Sequence, residues 1–381
     1  MRRITSSRPR LSNGVPVAAR QLLAHPLRIA VSAAAVAAAI ALVLLLTGLR
    51  RGMGEQVTTY LRHQPPVLVG QAGTRDFLSQ TSVLPARAVA GVAEVPGVAD
   101  ASPISAGYAM LSLHRKHVLT VLVGFDPGRR GGPWRVASGR SPRADGELTL
   151  DRVLAREHGL RVGTTLRFGG RPLRIVGLTR GTSGFMTPLA FTTRATANAL
   201  NEQPETATFV LVTPGQGVSA TSLTRTIGSR TPGVAAVLSS SVAANDRALF
   251  MGAFSGPLTA MIVIAAAAAV LIIAMSVYSE TRDRSRDYAT LKAIGLTRRG
   301  LLRIVAAESG AVALVGIVSG TVLAFAAARA IAVVAPKYLI LLAARDVLVA
   351  AAAGLLFALL AGLVPARYVA RLDPSTALRA G

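Results

Sequence analysis

The chain has 381 residues, a formal net charge of +24 and 51% hydrophobic residues, and its mean hydropathy is +0.48. These values exclude an intrinsically disordered chain, which is poor in apolar residues. Cysteine is absent, so a disulfide framework, a thiolate metal site and a cysteine nucleophile are excluded. The strong positive charge suits either nucleic acid or a membrane. Much of it flanks long apolar runs, which favours a lipid membrane and argues against nucleic acid.

Four long uncharged stretches predict transmembrane helices. An apolar helix of about 20 residues covers the roughly 30 Å of a bilayer core. The first stretch is followed by Arg50 and Arg51 instead of a small-residue cleavage site, which indicates a retained anchor and not a signal peptide. The predicted spans are residues 29–49, 257–278, 309–329 and 347–364.

The basic residues also predict the orientation of these spans. Arginine and lysine in short flanking segments mark the cytoplasmic side of a membrane. They are concentrated in the N-terminal segment 1–28, in the segment 279–308 and in the C-terminal tail 365–381. We therefore expect a multi-pass protein of the plasma membrane with both termini in the cytoplasm. The long stretch 50–253 and the short loop 331–346 are then expected outside.

The stretch 50–253 is predicted to be a folded α/β domain. Strand pairs 108–113 with 118–123, and 164–168 with 172–178, have the composition of hairpins. Asp151 can cap a short helix that ends at Gly159. A helix followed by Pro-Gly-Val and a strand occurs twice, with the valine at Val98 and at Val234, which favours two similar α/β halves. The fold class predicted is therefore a membrane protein with four transmembrane α-helices, arranged one plus three around a large extracytoplasmic α/β domain.

Motifs of common enzymes are missing from the sequence. There is no Gly-Lys pair and hence no phosphate-binding loop, and neither His-Glu-x-x-His nor Gly-x-Ser-x-Gly occurs. His114 and His117 lie in a predicted hairpin turn, where a solvated turn is favoured over a metal site. We expect a protein that is not itself an enzyme and that has no metal site.

The segment between the second and third predicted spans has the pattern of a charged helix with one apolar stripe. Tyr288, Leu291 and Ile294 recur at helical spacing among charged residues. Gly295 is a natural C-terminal stop, and Thr297 can cap the next helix. Such a helix can rest on lipid headgroups or dock on a cytoplasmic partner. The pattern alone leaves both interpretations open.

Two features near the third predicted span also have two interpretations each. Glu308 precedes the span by one residue; it can be a headgroup-level carboxylate near Arg303 or a polar tie to a neighbouring helix. Gly316 and Gly320 form a Gly-x-x-x-Gly face for close helix packing. That packing can lie within the subunit or across a dimer.

The order of several motifs resembles FtsX/MacB-type ABC transporter permeases. Residues 286–295, RDYATLKAIG, are similar to the family segment Arg-Glu-x-Ala-x-Leu-Lys-Ala-Ile-Gly, with Asp287 in place of the usual Glu. The C-terminal stretch 370–379 and the outer-domain pieces 123–127, 138–140, 147–151 and 173–177 are also similar to the family. Within it, residues 48–73 resemble the DevC- and HrtB-like exporters.

The resemblance implies a permease subunit whose ATP hydrolysis takes place in a separate ABC ATPase subunit. That partner would bind ATP and Mg, and this chain would hold no cofactor. The ATPase would dock on a cytoplasmic coupling helix, with Leu291, Ala293 and Ile294 in its cleft. The docking residues implied are Arg286, Asp287, Tyr288, Leu291, Lys292, Ala293, Ile294 and Gly295. Since four spans enclose little alone, a second permease subunit is expected, as a homodimer.

Two functions fit the resemblance. In the first, the permease exports a hydrophobic or amphipathic molecule (heme, drug, lipid or peptide) by mechanotransmission from the ATPase. In the second, the chain transports nothing and instead regulates an extracellular cell-wall hydrolase. The outer domain is larger than a minimal hydrolase activator needs, which favours export.

Overall fold

The computed structural model describes residues 26–79, 82–113, 116–168, 170–184, 187–203, 206–283 and 297–371. Its α-helices are α1 (Pro26–Val57), α2 (Ala86–Ala93), α3 (Arg152–Glu157), α4 (Arg194–Leu200), α5 (Ala220–Arg230), α6 (Ser239–Asp283), α7 (Arg298–Val334) and α8 (Ala344–Arg371). Its strands are β1 (Val67–Gln71), β2 (Leu84–Pro85), β3 (Val98–Leu113), β4 (Lys116–Phe125), β5 (Val136–Gly139), β6 (Glu147–Asp151), β7 (Thr165–Phe168), β8 (Arg171–Thr179), β9 (Leu189–Thr193), β10 (Thr206–Ala207), β11 (Phe209–Pro214) and β12 (Val234–Leu238).

The chain divides into two compact units. The helical unit comprises Met1–Arg51, Pro257–Val333 and Ile340–Gly381. The α/β unit comprises Gly52–Gly256 together with the short segment Val334–Leu339. The chain passes between the units inside α1, inside α6 and at both ends of the segment 334–339.

Among the described residues, four helices are long and apolar enough to cross a membrane. These candidate spans are Ala30–Val57, Ser239–Ser276, Leu302–Val334 and Ala344–Ala361. With the α/β unit between the first and the second of them, the predicted fold class is confirmed. Helix α6 begins at Ser239 and has Pro257 inside it, whereas the hydropathy pattern predicted a helix starting at that proline. Residues 239–256 are helical but polar enough to escape a search for apolar runs.

The helical unit has its own apolar core. Small and branched side chains of α1, α7 and α8 pack with Ile273 of α6 in one buried cluster. Val36 and Leu44 of α1 are each 1% exposed, and Ala324 and Ala358 are completely buried. Alanine at these contacts lets helix backbones approach closely, as in other membrane helix bundles.

The α/β unit is built on one mixed sheet. Its strand order is β12-β1-β11-β3-β4-β9-β6-β8-β5, and β7 pairs with both β3 and β8. Pairs β4/β9 and β6/β8 are parallel. Both predicted hairpins are present, as the antiparallel pairs β3/β4 and β7/β8. The predicted cap is also confirmed, because the Asp151 carboxylate accepts hydrogen bonds from the backbone N–H groups of Val153 and Leu154.

The alternating residues of each strand supply two core faces. On one face, Val67, Val210, Leu223 and other apolar residues form a cluster under α2 and α5. The two Pro-Gly-Val units therefore pack together on one end of a single sheet and do not form two separate halves. Toward the other end of the sheet, α3 and α4 contribute to a second cluster around Leu148 and Phe168.

The opposite face is covered by the chain that leaves α1 and by the start of α6. Tyr60, Leu61, Phe77 and Val242 pack there against strand residues such as Phe191. The Tyr60 hydroxyl donates to the Gly131 carbonyl at 3.0 Å, and its ring stacks on Phe77 with 5.0 Å between centroids. Burial raises the pKa of the Tyr60 phenol far above its ordinary value. The end of α1 is thus anchored in the core of the α/β unit.

Candidate functional site

The predicted docking residues between α6 and α7 lie outside the described residues. This applies to Arg286, Asp287, Tyr288, Leu291, Lys292, Ala293, Ile294 and Gly295. The structure describes the segment again at Thr297, whose hydroxyl accepts from the Gly300 backbone N–H at 3.2 Å. Thr297 therefore caps α7 as its sequence position predicts.

The Gly-x-x-x-Gly face of α7 lies against α1 of the same chain. A Cβ at Gly316 would lie 2.6 Å from the Val36 side chain, and one at Gly320 would lie 2.6 Å from the Ala37 carbonyl oxygen. Both glycines thus allow a close helix contact that alanine would disturb. Within this structure the face is used for packing inside the subunit.

Glu308 lies ten residues, or nearly three helical turns, after the start of α7 at Arg298 and is only 4% exposed. The next residue, Ser309, is buried to the same extent. A carboxylate covered by protein in this way fits the interpretation of a polar tie between helices better than that of a headgroup-level residue, because a headgroup-level carboxylate would be solvated.

A second glycine pair, on α1, forms a groove that holds the connection between α7 and α8. Within the α/β unit, a Cβ at Gly52 would collide with the carbonyl group of Leu339. Within the helical unit, a Cβ at Gly48 would lie 2.9 Å from the side chains of Ile340 and Leu342. The Leu341 backbone N–H donates to the Gly48 carbonyl at 3.0 Å. We call this feature the α1 groove.

Gln56 extends the α1 groove by one further helical turn. Its side-chain amide donates to the Lys337 carbonyl at 2.9 Å and to the Ser183 carbonyl at 3.1 Å. Gln56 is 6% exposed, and both hydrogen bonds are partly buried. Two backbone carbonyls from distant parts of the sequence are therefore joined by one buried side chain. Losing such a donor leaves buried acceptors without a partner, which costs about 1–3 kcal/mol.

Charged residues add to the contacts at both ends of the connection. In the α/β unit, the Lys337 ammonium lies 3.3 Å from a carboxylate oxygen of Glu157. In the helical unit, the Arg51 guanidinium donates to the Asp346 carboxylate at 3.0 Å. The Lys337 and Glu157 side chains are 50% and 38% exposed, so this pair contributes little to stability. The hydrogen bond from Gln56 to Lys337 and the close approach of Leu339 to Gly52, not this ion pair, hold the segment in the α/β unit.

A hydrogen-bond network supports the Ser183 end of the Gln56 contact. The Asp151 carboxylate accepts from the Thr182 hydroxyl at 2.7 Å and from the Ser183 hydroxyl at 2.8 Å. The same carboxylate caps α3, and Asp151 is 1% exposed. Asp151 therefore orients both the helix that carries Glu157 and the loop that Gln56 binds.

Another motif of the family resemblance stabilises a loop. The Arg140 guanidinium forms a two-pronged ion pair with the Glu147 carboxylate, which also accepts from the Arg143 backbone N–H at 2.8 Å. The Arg140 hydrogen bond holds the pKa of Glu147 at about 2. These residues close the segment between β5 and β6.

Sequence reasoning missed Gln56 and the groove. Gln56 follows two arginines and a glutamate and looks like a solvated helix end. Gly48 and Gly52 were noticed only through the resemblance to exporters. Their spacing alone predicts close packing, but the partner is an irregular segment almost three hundred residues later in the chain, which no local pattern predicts.

An α/β domain thus lies between the first and the second of the four apolar helices that the described residues form. The description "MacB-like periplasmic core domain" belongs to a family model that matches residues 29–230. A second model, "FtsX-like permease C-terminal", matches residues 259–374. The chain belongs to the FtsX/MacB family of ABC transporter permeases. A permease of this kind works in a membrane with an ATPase partner.

Two mycobacterial relatives agree with this assignment, and a third comparison is with a solved structure. An uncharacterized ABC transporter permease of Mycobacterium tuberculosis is 28% identical over 74% of this chain and 76% of its own length. One from Mycobacterium bovis is 27% identical over 61% of this chain and 62% of its own length. The periplasmic region of MacB from Actinobacillus actinomycetemcomitans aligns with 51% of this chain and 94% of its own, at 15% identity and a TM-score of 0.37.

Proposed function

We propose that this chain is the permease subunit of an ATP-driven exporter for a hydrophobic or amphipathic molecule, working by mechanotransmission. A separate ATPase subunit binds and hydrolyses ATP with Mg, docks on residues 286–295, and moves the spans. Two permease subunits assemble as a homodimer in the plasma membrane, with both termini in the cytoplasm. The α/β unit lies outside and moves with the spans.

The observation that carries this proposal is the α1 groove. The segment Val334–Leu339 belongs to the α/β unit, and it continues directly into α7 on one side and into α8 through residues 340–343 on the other. Gln56 and Gly52 hold it inside that unit. A displacement of α7 or α8 is therefore delivered to the α/β unit through a short, tightly held segment and not through a loose loop.

The cytoplasmic end of the proposed mechanism is tested by changing the apolar stripe. Leu291→Asp and Ile294→Asp place a charge where the ATPase cleft would close on an apolar side chain. Thr290→Asp introduces the same charge off the stripe and serves as the matched control. We expect the two stripe variants to abolish ATPase stimulation by the permease in lipid discs, with normal membrane insertion, while Thr290→Asp retains it. Full stimulation by Leu291→Asp and Ile294→Asp would refute the docking assignment.

Export and hydrolase regulation differ in what a cell loses. Co-expression with the ATPase should raise tolerance to heme or to amphipathic drugs when the permease exports. The Leu291→Asp variant should lose that tolerance. A defect in cell separation with unchanged tolerance would favour regulation of a cell-wall hydrolase and would contradict export.

A further inference from the structure

The ribbon formed by β3 and β4 extends beyond the core that covers its neighbours. Strand β11 pairs with β3 only as far as Ile104, and β7 begins to pair at Leu111. Residues 105–110 therefore have no strand partner on that edge among the described strands. On the face toward Tyr60 and Phe77, Tyr108 pairs with Val121 and Met110 with Leu119.

This part of the ribbon leaves apolar side chains uncovered. Tyr108 and Met110 are each 48% exposed and Leu119 is 41% exposed, although Val121 beside them is 3% exposed. The apolar face of the sheet thus continues past the core into an open surface. Contiguous exposed apolar surface of this kind marks a site of interaction.

A cavity of about 600 Å³ lies at the boundary between the covered and the uncovered part. This volume is in the range of pockets that bind small molecules. Its apolar wall includes Phe77, Leu78, Val121 and the ring of Tyr108. A concave site of this size suits a small molecule better than the flat face of another protein.

The polar part of the lining is uncharged. Ser79, Ser82, Asn201, Gln203 and Thr208 supply it, and no described lining residue carries a formal charge at neutral pH. The Thr208 hydroxyl is engaged with the Ala106 backbone, and that of Ser82 accepts from the Gln71 N–H. The side-chain amides of Asn201 and Gln203 make no hydrogen bond with described residues, so their donors and acceptors can serve a ligand.

The apolar wall is held in place before any ligand binds. The Asp246 carboxylate accepts from the backbone N–H groups of Phe77 at 3.0 Å and of Leu78 at 3.1 Å. The Phe77 ring also lies 5.2 Å from the Phe209 ring, centroid to centroid. Burial and the nearby Asp246 charge raise the pKa of Tyr108, so its hydroxyl stays protonated and can donate. A preformed wall lowers the entropic penalty of binding.

We propose that this cavity binds an uncharged amphipathic molecule, with its apolar part on Phe77, Tyr108 and Val121 and its polar part on the amides of Asn201 and Gln203. Among the described lining residues a charged head group would find no opposite charge, and it would lose solvation there. This proposal rests on the proposed export function, for which the cavity would be the cargo site of the α/β unit.

The absence of cysteine allows a direct test on the full-length permease in lipid discs, without the ATPase. Ser79→Cys places one thiol in the cavity lining and leaves the apolar wall and both amides unchanged, and Val162→Cys, at a position that is 44% exposed and not in the cavity lining, is the control. Decyl maltoside is the probe; decyl sulfate and decyltrimethylammonium carry the same chain with a charged head. At about ten times the dissociation constant, mass action predicts roughly ten-fold slower maleimide labelling of Ser79→Cys.

We expect this protection with decyl maltoside only, none at Val162→Cys, and its loss when Asn201 and Gln203 are both changed to alanine. No protection, equal protection by the charged amphiphiles, or equal protection at Val162→Cys would overturn the proposal. A further result would also overturn it: slow maleimide labelling of the cavity thiol without any amphiphile, which becomes fast in discs that contain a single permease chain. In that case a second copy of the chain, and not a small molecule, would cover this surface. The labelling assay needs no ATPase, so the two proposals can fail separately. Normal ATPase stimulation without protection of the cavity thiol would refute this site alone. Protection of the cavity thiol without ATPase stimulation would refute the proposed function alone.

Discussion

Helices α1 and α6 both pass from the helical unit into the α/β unit, and each has two glycines four residues apart at the passage. In α1, Gly48 and Gly52 are packed against the 339–342 segment with no space for a Cβ. In α6, no described atom lies within 4 Å of a Cβ added at Gly252 or Gly256, and Pro257 follows them inside the helix. The same spacing thus serves close packing in one helix and freedom from packing in the other. Local sequence does not distinguish the two uses.

This comparison predicts opposite effects for the same substitution. Gly52→Ala places a methyl group on the backbone carbonyl of Leu339, which cannot rotate away; overpacking of this kind costs about 1–3 kcal/mol. Gly252→Ala enters open space and should stabilise the helix by about 0.5–1 kcal/mol. Thermal unfolding of the two purified variants in detergent checks both values. Equal behaviour of the two variants would contradict the distinction.

Gln56→Glu tests whether the Gln56 side chain holds the segment 334–339 against α1. The variant keeps the shape of the side chain but removes both N–H donors and places a carboxylate near the carbonyls of Lys337 and Ser183. We expect faster hydrogen exchange in residues 335–343, with unchanged exchange in α5 as the internal control. Unchanged exchange in 335–343 would show that Gln56 does not hold the segment.

Pro257→Ala tests the loosely packed part of α6 that follows Gly252 and Gly256. Proline removes the hydrogen bond to the carbonyl four residues earlier and weakens the helix there. Restoring that bond should stiffen α6 and lower transport several-fold, with ATPase binding retained. Transport at the level of the natural protein would indicate that α6 does not bend during the cycle.

The smallest predicted effect concerns the ion pair of Glu147 with Arg140, which involves neither glycine pair. Because the folded pKa of Glu147 is about 2, below its ordinary value of 4.5, its ionised form stabilises the fold above pH 4.5. That contribution falls as the pH drops from about 4.5 to 2. Glu147→Gln should lower the melting temperature slightly at pH 7 and flatten its pH dependence over this window. An unchanged pH profile would argue against the ion pair with Arg140.

The sequence predicts those parts of the fold that local patterns determine. Uninterrupted apolar runs predict the four candidate spans, and alternation predicts the hairpins β3/β4 and β7/β8. The polar first half of α6 has neither pattern, so its start at Ser239 was missed. Strands β1 and β9 are short apolar runs buried on both sides, and periodicity cannot separate such runs from loops or helices.

In the candidate site, too, local sequence predicts some features and only the tertiary fold determines the others. The cap at Thr297 follows from a local rule, whereas Gln56 depends on Lys337 and Ser183, which only the tertiary fold brings to it. The docking residues around Leu291 were inferred from resemblance and remain a prediction, because they lie outside the described residues.

The central claim is that the segment 334–339 stays attached to α1 while the ATPase works. The most direct measurement joins Gln56→Cys and Lys337→Cys with a short bifunctional thiol reagent in the otherwise cysteine-free chain. ATPase stimulation and transport are then measured before and after cleavage of the link. The account predicts that both activities persist with the link in place. Loss of both activities, with recovery after cleavage, would show that the segment leaves the groove during the cycle and would contradict the account.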